Sequence, residues 1–193
     1  MRRELLESAE QLLSKLEGSG QEDTTFLFNR TASHVARGDL ALTHDDLNLA
    51  TKEYQAAVQI MKGLVKEEPD NTHWLSSLSV SYEKLGDVAV AAGRLDDARQ
   101  AYEQGLQIRK ALAAQDPHNA GWQRDLLISH LKFIGLLVQT SNPSMEKILD
   151  HLNAAETILK QFEQAGLMQD DAQVIKIRDA VATLRAALQK ETP

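Results

Sequence analysis

Apolar and polar positions along this chain recur with a helical period. Within residues 69–116, Trp74, Leu78, Tyr82, Leu85 and Ala89 step by four, four, three and four, which puts them on one stripe of a helix. After Gly93-Arg94, the residues Leu95, Ala98, Tyr102, Gly105, Leu106 and Leu112 form a second stripe. Near the end, Val174, Ile177, Val181, Leu184 and Leu188 share a face, with Lys176, Asp179 and Arg185 off it. That pattern predicts an amphipathic helix fit to close a stack. Asn71 and Asn119 stand just past Pro69 and Pro117, where a short polar side chain accepts from the first free backbone N–H groups of a helix. Asp23 and Asp170-Asp171 occupy comparable positions. Each predicted helix runs to about 20 residues, or roughly 30 Å.

The pattern repeats. At an offset of 48 residues, Phe26 meets Trp74 and Trp122, and Ser33 meets Ser81 and Ser129. At the same offset Gly38-Asp39 meets Gly86-Asp87, and Ala50, Tyr54, Ile60 and Leu64 meet Ala98, Tyr102, Ile108 and Leu112. In the third copy the second half shifts to an offset of 50, so that Ile148, Leu152, Ala155, Ile158 and Phe162 follow Ala98, Tyr102, Gly105, Ile108 and Leu112. Two extra residues therefore enter near Ser141-Asn142-Pro143-Ser144, a turn that absorbs them more readily than a packed helix. The units are 21–68, 69–116 and 117–166, each a pair of helices. Residues 2–17 match the second half of a unit, and Gly18-Ser19-Gly20 ends it, so 1–20 reads as a half-repeat and 167–193 as a capping helix. The expected fold is all-α: a single stack of eight helices over 1–193, cut from the C-terminal part of a longer array.

The run Tyr82-x-x-Leu85-Gly86, then Gly93, then Ala98-x-x-x-Tyr102-x-x-Gly105 resembles the tetratricopeptide repeat family. The first unit keeps Gly38, Ala50, Tyr54 and Ala57 but has Arg37 where the pattern has leucine; the third keeps Gly135, Leu152 and Ala155. The family's usual unit is about 34 residues, so this is a long-helix variant, similar to arrays in large bacterial multidomain proteins. The resemblance implies a right-handed α–α superhelix whose first helices line a concave, ligand-binding side. Small residues at Gly86, Ala98 and Gly105 imply close helix contact, because a helix-interior glycine costs about 0.5–1 kcal/mol relative to alanine.

Composition narrows the function. Ten Gly and four Pro leave little punctuation for a many-turned β fold. Cysteine is absent, which removes disulfides, thiolate metal sites and a cysteine nucleophile. A formal charge of −7 argues against a generic binder of nucleic acid or anionic membrane. No apolar run approaches a membrane span, and Glu7, Glu10 and Gln11 interrupt any signal-peptide core, so the expected location is the cytoplasm. Neither phosphate-cradling glycine motif nor a nucleophile elbow occurs. His44-Asp45-Asp46 reads as a helix-start turn, with Thr43 and Asp46 bracketing the cap. His34, Tyr82 and His130 share one repeat position and read as a packing or edge site rather than metal ligands.

These readings exclude catalysis and cofactors and point to a protein- or peptide-binding scaffold. By the family resemblance, the face of the first helices carries Phe28, Val35 and Asp39 in unit one, Ser76, Val80, Glu83 and Asp87 in unit two, and Arg124 and Lys132 in unit three. Some family members hold the acidic tails of chaperones there. Asp39, Glu83 and Asp87 would repel such a tail, so a basic or amphipathic peptide is the expected partner. The rival expectation is self-assembly as a homodimer through Leu5, Leu12, Leu13 and Leu16 of the unpaired first helix.

Overall fold

The computed structural model describes residues 23–167 and 171–191. Seven helices and no strands occur among them: α1 (Thr24–Leu42), α2 (Leu47–Glu67), α3 (Thr72–Ala91), α4 (Leu95–Gln115), α5 (Ala120–Leu137), α6 (Met145–Ala165) and α7 (Ala172–Glu191). The helix expected at 2–17, and with it the dimer surface, lies outside the described residues. Helices α1 to α6 fall pairwise inside the three predicted units, and α7 sits in the predicted cap. The chain is all-α.

The helix starts follow local chemistry. Asp23 accepts from the Phe26 N–H at 2.7 Å, Asn71 from those of His73 and Trp74, Asn119 from that of Trp122 and Asp171 from those of Gln173 and Val174. Asp46 is itself the cap of α2, accepting from the Leu49 N–H at 2.9 Å. Thr43 turns back to the Leu40 carbonyl instead, so the bracket expected between Thr43 and Asp46 resolves into the end of one helix and the start of the next. Between them Asp45 takes a left-handed φ of 57°. Gly93 (φ 71°) and Gly166 (φ 63°) supply the same conformation after α3 and α6, where glycine bears no steric cost. The third connection, 138–144, is the longest within a unit and holds the predicted insertion.

The chain divides into two compact units, with the dividing line inside α4 between Gly105 and Leu106. In the first, α1 packs on α2, α2 on α3, and α1 also touches α3. A core of Ala41, Ala50, Tyr54 and Val88 is flanked by Val35, Leu42, Leu47 and Leu85. A side chain on Gly105 would press on the Ser79 carbonyl at 3.2 Å, so the expected close approach of α3 and α4 is real there. In the second unit α6 packs on α5 and on α7. Its core joins Leu127, Ile134, Ile148, Leu152, Ile158 and Phe162 to Val174, Ile177 and Val181 of α7. Burying a leucine such as Leu152 contributes about 1.5–3 kcal/mol. At the outer edge Arg185 of α7 donates to both Glu156 carboxylate oxygens, which holds that carboxyl below its usual range.

Candidate functional site

The repeated Gly-Asp pairs are half of a clasp whose other half is the repeated tyrosine. Tyr54 of α2 donates its hydroxyl to Asp39 of α1 at 2.7 Å, and Tyr102 of α4 donates to Asp87 of α3 at 2.6 Å. The glycine before each aspartate makes room for the ring: a Cβ on Gly38 would lie 2.5 Å from the Tyr54 ring, and one on Gly86 would collide with Tyr102. Burial first, then the hydrogen bond and charge of the aspartate, hold both phenols well above their ordinary pKa. Asp39 also accepts from Lys84 of α3 at 2.8 Å, which ties the two hairpins together at a partly exposed ion pair.

A second recurring layer sits at His34, Tyr82 and His130. In the first hairpin His34 meets the carboxylate of buried Glu53 at 2.7 Å, and Arg37 meets the same group at 2.9 Å. That contact explains why arginine stands where the repeat pattern has leucine: it faces a carboxylate. In the second hairpin Leu85 and Ala101 occupy the places of Arg37 and Glu53, and the layer becomes apolar. The small Ala101 leaves space, and a cavity of about 330 Å³ opens beside it, lined by Thr51, Gln55, Tyr82, Arg94, Gln100 and Gln104. In the third hairpin His130 meets His151. Sequence reasoning missed the cavity; its signal is alanine at 101 where glutamate stands at 53.

The residues expected on the first-helix face are distributed between the two units. In the first, Phe28 packs its ring at 4.8 Å from His73 and 5.2 Å from Trp74, so α1 and α3 lie side by side. Val35 borders the core, and Ser76, Glu83 and Asp87 are half-buried. Val80 is 40% exposed, the clearest outward apolar group of that set. Asp39 and Asp87 serve the clasps, so they are structural acceptors as well as surface carboxylates. In the second unit Arg124 lies 3.8 Å from Asp171, and Lys132 is half-buried. Among the described residues no group of three or more His, Asp or Glu side chains could hold a metal ion, and no helix is long and apolar enough to cross a membrane. No protein-family model matches this chain, and no curated protein matches its sequence.

Proposed function

We propose that the chain forms a tetratricopeptide-like right-handed superhelix, cytoplasmic, that holds a protein or peptide partner on its first helices and performs no catalysis. The observation that carries this reading is the lateral contact of α1 with α3, through Phe28–Trp74 and Asp39–Lys84, which sets two first helices beside each other with Val80 turned to solvent. Solenoids use such runs of like helices as extended binding surfaces. The partner is an amphipathic, basic peptide. Val80 offers it an apolar contact, and the carboxylates of Glu83 and Asp87 lie on the same helix.

A labelled helical peptide of leucine and lysine at amphipathic spacing is the probe. Its affinity, read by fluorescence anisotropy, is expected to fall about tenfold in Val80→Ser, the size of one lost apolar contact, and to weaken with salt as exposed charges are screened. Val80 is an exposed position, so this variant leaves the fold in place. Asp87→Lys is unsuitable because it removes the acceptor of the buried Tyr102 hydroxyl. Affinity indifferent to both salt and Val80→Ser contradicts the reading.

A further inference from the structure

The recurring layer at His34, Tyr82 and His130 differs most in its tolerance of protons. His130 of α5 is 5% exposed, and its Nδ1 lies 2.9 Å from Nδ1 of His151 on α6. Two nitrogens at that distance need one proton between them: one ring donates and the other accepts with its lone pair. A second proton places two N–H groups head to head, with two positive charges. The His151 ring is also fixed, stacked on Phe133 at 4.7 Å with the planes 6° apart, so it cannot swing away without losing that contact. The charged groups that act on the pair are Lys110 from α4 and Lys147 and Asp150 from α6, two cations against one carboxylate. Asp150 alone among them favours positive charge, on His151, and burial and the two lysines outweigh it. In the first hairpin the equivalent His34 faces the Glu53 carboxylate, an acceptor that suits the imidazole whether or not it carries a second proton.

We infer that His130 and His151 form a proton-sensitive latch on the α5–α6 hairpin, closed while the two rings share one Nδ1 proton and released by acidification, whereas the hairpins of residues 23–105 hold over the same range. Burial, then His151, then Lys110 press the His130 pKa down to about 4, and burial first also presses His151 below its ordinary value. The folded hairpin therefore keeps the neutral rings, while the unfolded chain takes up protons near pH 6.5. Stability is full above that value and drains away as the pH falls toward 4. By this linkage His130 alone lowers the folding equilibrium constant on the order of tenfold or more between pH 7.5 and 5.

Urea unfolding of the full chain tests this, followed by tryptophan fluorescence in Trp74→Phe, where Trp122 reports the second unit, and in Trp122→Phe, where Trp74 reports the first. From pH 7.5 to 5 the Trp122 transition is expected to weaken by tenfold or more and the Trp74 transition by much less. His130→Gln, whose amide can donate to His151, is expected to remove most of the difference. Equal weakening at both reporters, or an unchanged pH dependence in His130→Gln, overturns the latch. Should His130→Gln not fold, NMR titration of the imidazoles in the unmodified chain decides: two signals titrating well below 6.5 support the latch, and both at 6.5 overturn it.

Discussion

In residues 23–105, Tyr54 and Tyr102 lie against Gly38 and Gly86 and donate to Asp39 and Asp87. In residues 106–191 the matching position is Leu152, fully buried, while Gly135 has nothing within 4 Å of where a side chain would start and is followed by Leu136 rather than aspartate. One period thus supports two ways of locking a helical hairpin. The first couples a ring, a gap and a carboxylate, so each member is there because of the other two. At the matching position the second relies on aliphatic burial, and its glycine has lost the reason for being small. The two units should accordingly fail under different insults.

The largest difference is expected in alkali. All three tyrosines, Tyr54, Tyr82 and Tyr102, lie in the first unit, and each has its pKa raised, chiefly by burial. A raised folded pKa means stability complete below pH 10 and lost as the pH climbs beyond it. Phenolate absorbance is expected to lag free tyrosine and then appear together with unfolding of this unit; a titration at pH 10 with no loss of helix breaks the comparison. Next in size, Leu152→Ala is expected to cost about 2–5 kcal/mol by urea unfolding, the usual range for a buried leucine. A cost below 1 kcal/mol would show that the second unit is not held by its apolar core.

Gly38→Ala and Gly86→Ala follow, each costing about 1–3 kcal/mol because the added methyl overlaps a tyrosine ring. Tyr102→Phe, which keeps the ring and removes only the donor to Asp87, should cost about 1–2 kcal/mol. Smallest and opposite in sign, Gly135→Ala is expected to gain about 0.5–1 kcal/mol, since alanine is favoured in a helix interior where space allows. Calorimetric melting of these variants ranks them directly.

The helices were legible because their signals are local. Asn71, Asn119 and Asp23 cap where a polar residue precedes an apolar stripe, and the period of 48 sets the pairing of helices. The clasp was half legible. Gly-Asp and Tyr recur together in the sequence, but the 15-residue separation of Asp39 from Tyr54 joins two helices, so the aspartates read as groove charges. The His130–His151 contact was hidden because the inserted residues shift its partner: the spacing is 21 there and 19 between His34 and Glu53. Arg37 looked like a departure from the repeat until buried Glu53 appeared beside it.

The central claim is that the repeated glycine exists to seat the repeated ring. A double-mutant cycle of Gly86→Ala with Tyr102→Leu, which gives the second hairpin the third one's residue, tests it most directly. The expected result is a destabilising Gly86→Ala in the natural background that turns neutral or stabilising once Tyr102 is leucine, a coupling of about 1 kcal/mol or more. Equal cost in both backgrounds would contradict it.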